Sequence, residues 1–150
     1  TMTCEVTQKQ RTASGAWDKG GAPALIDGEK VQVVEGFRFP KDFAQETLPD
    51  FSTNNMLFEL SAIDRDIPLD RYLVAKKVDE RPALQLETIT CEASGSEDES
   101  GAQIFDLGLL RVPREGPRGR FYPVKEPVDL DASREKLQNR LLAGWGERDA

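Results

Sequence analysis

The 150-residue sequence contains no histidine, and this absence removes several kinds of active site. Neither a Ser-His-Asp triad nor a Cys-His pair can be built, and a zinc site with histidine ligands is excluded as well. Any chemistry must therefore depend on carboxylates, lysines, arginines, amides, backbone dipoles or an added metal ion.

Cysteines and long apolar runs are also scarce. The two cysteines, Cys4 and Cys91, fit neither a disulfide framework nor a paired metal motif, which indicates buried thiols in a reducing compartment. No apolar run approaches the roughly 18 residues that a membrane span needs. The first residues lack the basic and apolar regions of a secretory signal. These features predict a cytoplasmic protein that does not contact membranes.

Positive charge is the minority sign. There are 20 basic and 27 acidic residues, so the net charge is −7. Broad electrostatic binding to nucleic acid or to an anionic membrane needs a cationic face, and this balance argues against both. The chain has the length of one ordinary domain, and its 38% of hydrophobic residues suffices for a core.

Short apolar segments separated by turn residues predict strands mixed with a few helices, an α/β or α+β arrangement. Asp27-Gly28 is a turn signal that would join two of the strands into a hairpin. Residues 84–93 are compatible with strand or helix, and the acidic loop at 94–101 is expected to be solvated. Asp131 is the candidate cap of the last helix and Gly144 its end. Strands are predicted at residues 22–26, 31–34, 56–58, 72–75, 104–112 and 121–124, and helices at 41–46, 61–67 and 129–143.

Three groups of residues could carry chemistry. Adjacent amides at Asn54 and Asn55 could bind a polyhydroxylated ligand, although Asn-Asn is also common in turns. The Glu35 carboxylate could accept hydrogen bonds from sugar hydroxyls, or could be an ordinary charge at a strand end. A short cationic segment suits phosphate oxygens but is also compatible with a solvated loop. Its members are Arg111, Arg114, Arg118, Arg120 and Lys125.

The order and approximate spacing of short motifs resemble those of the UDP-glucose pyrophosphorylase family, the UTP–glucose-1-phosphate uridylyltransferases. The resemblance runs from about Thr3 to the helix after Asp129, and the ordered combination is more specific than any single motif. The motifs are Glu5-Val6-Thr7, Lys19-Gly20-Gly21, Val31-Gln32-Val33-Val34-Glu35, Ser52-Thr53-Asn54-Asn55, Lys76 with Val78-Asp79, Leu84-Gln85-Leu86-Glu87-Thr88, Val112-Pro113-Arg114, Arg120-Phe121, Pro123-Val124-Lys125 and Asp129-Leu130.

The resemblance implies a sugar-1-phosphate site with defined roles. The backbone at Gly20 and Gly21, the Glu35 carboxylate and the amides of Asn54 and Asn55 would hold the sugar. Lys125 would be the catalytic lysine that contacts the reacting phosphates, with Lys76 a second lysine near them. The reaction suits a chain without histidine, because a sugar phosphate is largely ionised at pH 7 and needs no general base.

The same resemblance implies that residues 1–150 are the sugar-phosphate half of a nucleotidyltransferase catalytic domain. The expected fold is α/β, a partial Rossmann-like domain with a mixed sheet. The sequence has no Gly-rich loop for the UTP phosphates, so UTP and Mg²⁺ would be bound through an N-terminal half or a partner chain.

Departures from the family pattern leave the identity of the sugar open. They are the stretch from Thr88 to Gly101, the extra turn at Glu115 to Gly119, and Gly36-Phe37 after Glu35. A half-domain leaves apolar sheet surface uncovered, so self-association is also expected. The alternative is a non-catalytic sugar-phosphate-binding or regulatory module derived from the same fold.

Overall fold

A computed structural model of the chain describes residues 1–11, 15–124 and 127–146. The chain divides into two compact units, Thr1–Arg111 and Val112–Ala150. Among the described elements, every strand lies in the first unit, and the long helix lies in the second.

A mixed three-stranded sheet forms the centre of the first unit. Its middle strand, β1 (Met2–Gln8), pairs antiparallel with β4 (Asp50–Phe58) and parallel with β7 (Leu107–Arg111). The β1–β4 register is irregular, because Cys4 faces Met56 while Val6 faces Ser52. Three residues of β4 therefore lie opposite one residue of β1, and the extra length forms a bulge at Thr53, Asn54 and Asn55.

Two antiparallel hairpins accompany this sheet. The first pairs β2 (Ala22–Ile26) with β3 (Lys30–Val34), and the second pairs β5 (Arg71–Val78) with β6 (Arg81–Thr88). The turn of the first hairpin places Asp27 and Gly28 in the left-handed region, which is why Asp-Gly is favoured there. The predicted hairpin with its Asp27-Gly28 turn is confirmed.

Side chains from the sheet and the first hairpin share a core. One buried cluster contains Cys4 and Val6 of β1, Val33 of β3, and Cys91. Cys91 lies on a 3₁₀ segment, Thr90–Gly95, that follows β6. A second cluster joins Met2 to Ala93 and Phe105. Short helical segments lie between the strands: 3₁₀ turns at Gly36–Arg38 and Gln45–Thr47, and α1 (Leu60–Ile63).

The second unit consists of an irregular segment followed by the helix α2 (Pro127–Gly146). Proline suits the first turn of a helix, because its missing N–H has no partner there in any case. The helix begins before Asp131, so the prediction that Asp131 caps it is wrong. The guanidinium of Arg140 donates a hydrogen bond to the carbonyl of Gly119. The strand predicted at residues 121–124 is also wrong, since that segment is irregular.

The fold is therefore mixed α/β, mostly strands, with one three-stranded mixed sheet and small accompanying sheets. Within the described ranges, no helix combines the length and the apolar character that crossing a membrane requires.

Candidate functional site

Gly21 lies immediately before β2 and directly against Glu35. A Cβ atom added to Gly21 would lie 3.2 Å from Glu35 Oε2 and 3.3 Å from Val33 Cγ1. Gly20 has φ +152°, a conformation that side chains rarely adopt. Close packing therefore favours glycine at position 21, and the backbone conformation favours it at position 20.

The Glu35 carboxylate is half-buried at the end of β3, where it caps a 3₁₀ turn. Its Oε1 accepts a hydrogen bond from the backbone N–H of Gly36 at 3.2 Å. Its Oε2 accepts from the Cys91 thiol at 3.8 Å. The carboxylate is thus held between the turn and the core, with one oxygen next to Gly21.

Ser52 connects the bulge of β4 to Gly21. Its backbone N–H donates to the Gly21 carbonyl at 2.7 Å. Its hydroxyl accepts from the backbone N–H of Asn54 at 3.1 Å and lies 3.3 Å from Cys4 Sγ. Asn54 has φ +65°, so the bulge turns the chain sharply here, and asparagine tolerates this conformation. The structure therefore brings together Gly20, Gly21 and Glu35 and joins them through Ser52 to Asn54.

The Asn55 side chain is directed to a different partner. Its Nδ2 donates to Glu5 Oε1 at 3.1 Å, and the Thr53 hydroxyl donates to the same oxygen at 3.1 Å. Glu5 is only 4% exposed, so these bonds satisfy a carboxylate that would otherwise be costly to bury. Asn55 is thus committed to Glu5, and a sugar would have to compete for its amide.

Of the two predicted lysines, the described one does not lie at this cluster. Lys76 lies on β5, in a separate two-stranded sheet, where its ammonium is 2.6 Å from Glu87 Oε1. Lys125 lies outside the described residues. In the cationic segment, the Arg111 guanidinium pairs with Asp50 at 3.0 Å. Arg114 lies 4.9 Å from the Phe121 ring centre, a cation–π contact.

A polar cluster that sequence reasoning missed lies next to Cys91. Glu92 is 8% exposed, and its Oε2 accepts hydrogen bonds from Arg38 and from the Tyr72 hydroxyl. Phe37 packs edge-to-face on Tyr72, with ring centres 5.2 Å apart. Within the described ranges, Glu92 Oε1 has no hydrogen-bond partner. In the sequence, Gly36-Phe37 stands out only as a departure from the family pattern, and nothing points to Glu92.

Both thiols are unsuited to nucleophilic chemistry. Burial raises the pKa of Cys91 to about 12, and the nearby carboxylates of Glu35 and Glu92 add to this effect. Burial also raises the pKa of Cys4. Both groups are therefore neutral at pH 7 and function as packing residues and weak donors.

Mg²⁺ does not fit the donors that this site offers. In the part of the chain that the structure describes, no three cysteine, aspartate or glutamate side chains converge closely enough to hold a metal ion. The arrangement instead offers the Glu35 carboxylate, backbone groups, the Ser52 hydroxyl and the Asn54 amide, which suit the hydroxyl groups of a sugar.

Comparison with known proteins adds no family to this description, because no family model and no curated protein matches the chain.

Proposed function

We propose that this chain is the sugar-1-phosphate-binding portion of a UTP-dependent uridylyltransferase. The complete reaction would convert UTP and glucose-1-phosphate to UDP-glucose and pyrophosphate. A separate nucleotide-binding half, in a longer polypeptide or a partner chain, would bind UTP and would have to supply the ligands for Mg²⁺. A cytoplasmic location belongs to the same proposal, since the reaction uses UTP.

The observation that carries the proposal is the convergence of three motifs that are distant in the sequence. Gly21 contacts Glu35 and accepts a hydrogen bond from Ser52, whose hydroxyl accepts one from Asn54. These motifs were singled out by their resemblance to the sugar-binding motifs of the uridylyltransferase family. Their meeting in the folded chain supports a shared ligand.

The chemistry of the reaction matches this set of groups. The attacking phosphate oxygen is already largely ionised at neutral pH, so the site needs to position it rather than deprotonate it. Glu35, the glycine backbone and the asparagine amides would orient the sugar through its hydroxyls. Lys125 would neutralise charge on the reacting phosphates. Lys76 would contribute a second positive charge there once its ion pair with Glu87 is broken.

The finer assignment of the fold is part of the proposal. We infer that the mixed sheet is the second half of a Rossmann-like nucleotidyltransferase domain. The parallel β1–β7 pair supports this assignment, since parallel pairs belong to sheets that are covered on both faces. Leu109 and Leu110 of β7 are both 43% exposed. A partner half, or a second copy of the chain, would cover these two side chains.

Isothermal titration calorimetry of the purified chain with glucose-1-phosphate tests the binding role. A hydrogen bond to a charged group contributes about 1.5–3 kcal/mol, so Glu35→Gln should weaken binding roughly 10- to 100-fold. Glu29→Gln, in the exposed turn of the first hairpin, is the matched control and should bind like the wild type. Equal affinity of all three proteins, or no binding by the wild type, would contradict the proposal.

A second candidate is a non-catalytic sugar-phosphate-binding or regulatory module. The ion pair between Lys76 and Glu87 favours it, because a lysine held at 2.6 Å by a carboxylate is less available to a phosphate. Adding a UTP-binding half with Mg²⁺ and measuring pyrophosphate separates the two candidates. Binding of glucose-1-phosphate without any turnover in the combined system would favour the module.

A further inference from the structure

The outer face of the β5–β6 hairpin carries an exposed apolar patch that the proposed sugar site does not use. Side chains alternate along a strand, so one face of the hairpin can be read from the pairing register. We call this set the hairpin face, and its eight members are Arg71, Leu73, Ala75, Lys77, Pro82, Leu84, Leu86 and Thr88.

The leucines of the hairpin face are unusually exposed for directly paired strand residues. Leu73 lies opposite Leu86, and Leu84 lies opposite Ala75. Leu73 is 70% exposed, Leu84 is 72% and Leu86 is 61%. Single exposed leucines are common on proteins, but three in one contiguous patch indicate a surface that another element covers.

The opposite face of the hairpin is anchored to the rest of the first unit. Tyr72 packs against Phe37 and donates a hydrogen bond to Glu92. Lys76 and Glu87 form their ion pair on that same side. The hairpin face is therefore turned away from the elements that hold the hairpin in place.

The charges of the hairpin face specify the chemistry of a partner. Arg71 and Lys77 lie at its two ends, and none of its eight positions is a carboxylate. Lys77 lies 3.5 Å from Glu80 in the turn, but both side chains are exposed, and such pairs are easily exchanged. A partner should therefore be apolar in the middle and carry a carboxylate near each end.

The dimensions of the hairpin face fit one helix. Two strands about 4.8 Å apart present a surface about as wide as a single helix, which is roughly 10–12 Å across with its side chains. The six residue steps from Arg71 to Lys77 span about 20 Å, the length of about 13 helical residues.

We propose that the hairpin face is a docking surface for an amphipathic helix of another protein, with an apolar stripe and a carboxylate near each end. A second copy of this chain fits less well, because two such faces would bring like charges together. An anionic membrane also fits less well, because the chain carries a net charge of −7. The proposal is independent of the sugar site.

Two synthetic 14-residue helical peptides test this surface by fluorescence anisotropy with the purified chain. Both carry leucines at positions i, i+3, i+4 and i+7, and they differ only in having glutamate or lysine at the two ends. We expect the glutamate peptide to bind at least tenfold more tightly than the lysine peptide. Leu86→Ser should weaken its binding at least tenfold, and Arg71→Glu should remove the preference, because the face then carries one charge of each sign.

Leu57→Ser, which replaces a 66% exposed leucine of β4, is the matched control and should leave binding unchanged. Circular dichroism of each variant checks that it is folded. The proposal is overturned if the two peptides bind equally or if the control weakens binding as much as Leu86→Ser. Two further outcomes would overturn it by identifying another occupant of the hairpin face. The first is that Leu86→Ser abolishes self-association of the chain in analytical ultracentrifugation, and the second is that it abolishes binding of the chain to phosphatidylserine vesicles.

Discussion

The narrow space beside Gly21 offers the sharpest test of the sugar site. A Cβ atom at this position would lie 3.2–3.3 Å from Glu35, Val33 and the Val34 carbonyl, closer than neighbours usually approach. We predict that Gly21→Ala lowers affinity for glucose-1-phosphate by about tenfold or more, because the methyl group displaces the Glu35 carboxylate from its position. Calorimetric titration measures this change.

Gly108→Ala on β7 is the control for this substitution. Its added Cβ would lie 3.4 Å from Thr3 Oγ1, an ordinary contact. Its affinity for glucose-1-phosphate should equal that of the wild type. An equal loss in both variants would mean that the effect is general and does not arise at the sugar site.

Cys91 predicts how stability depends on pH. The pKa of its thiol rises from about 9.0 in the unfolded chain to about 12 in the folded protein, chiefly because it is buried. Below pH 9 the thiol is neutral in both states, and its contribution to stability is fully present. As the pH rises above 9, the unfolded chain loses this proton first, so the free energy of unfolding should fall.

Urea unfolding between pH 8 and pH 10.5 measures this dependence. Cys91→Ala should be less stable at pH 8, because it leaves a small cavity, and its stability should fall less steeply as the pH rises. If the free energy of unfolding falls equally steeply with pH in the variant and the wild type, the Cys91 thiol is accessible to water in the folded protein, which contradicts this prediction.

Among the elements, the β5–β6 hairpin has an unusual turn. Asp79 and Glu80 both have positive φ, at 48° and 61°, although neither is glycine. A left-handed residue other than glycine costs about 1–2 kcal/mol. Glu80→Gly should therefore stabilise the hairpin by about 1 kcal/mol, seen as slower hydrogen exchange of the β5 and β6 amides.

Glu80→Ala separates the backbone effect from the loss of charge. Both substitutions remove the exposed pair with Lys77, but alanine keeps the unfavourable positive φ. Hydrogen exchange in Glu80→Ala should be unchanged or faster. Slower exchange in both variants would attribute the effect to the carboxylate.

The elements that the sequence predicted best are those defined by local signals. The β2–β3 hairpin follows from its Asp27-Gly28 turn, and the turn fixes a register that pairs Ala22 with Val34. That register places Gly21 beside Glu35, so a local signal in the sequence is enough to predict this half of the site. The ambiguous segment at 84–93 contains both a strand and a 3₁₀ segment, which explains its mixed pattern.

Elements that depend on distant contacts were predicted less well. The helix predicted at 41–46 is wrong, because that region holds only a 3₁₀ turn at Gln45–Thr47. The acidic loop is only partly solvated, since Ser94 is buried and accepts a hydrogen bond from the backbone N–H of Val33. The partners of Asn55 and Lys76, Glu5 and Glu87, likewise follow from strand pairing that no local pattern encodes.

For the molecule as a whole, the proposed function predicts an inactive chain. The sequence holds no Gly-rich loop for UTP phosphates, and the described residues hold no cluster of metal ligands. Incubated with UTP, glucose-1-phosphate and Mg²⁺, the purified chain should release pyrophosphate at the background rate. Enzyme-dependent release would show that the chain contains a complete active site.

A complementing UTP-binding half should restore turnover to the same chain. In that system, Lys125→Ala should lower kcat by about 10²–10³, because it removes a cation from the reacting phosphates. Arg118→Ala, in the extra turn, should have little effect, because exposed charges contribute about 0–1 kcal/mol. A near-normal kcat for Lys125→Ala would contradict the role proposed for this lysine.

The position of β1 in the middle of the sheet has a consequence for biosynthesis. β1 is made before both of its partners, since β4 begins at Asp50 and β7 begins at Leu107, about 100 residues after β1 ends. At about 5–20 residues per second, the ribosome needs roughly 5–20 s to make that stretch. During this time one edge of β1 has no partner strand, so nascent chains are exposed to aggregation until β7 emerges.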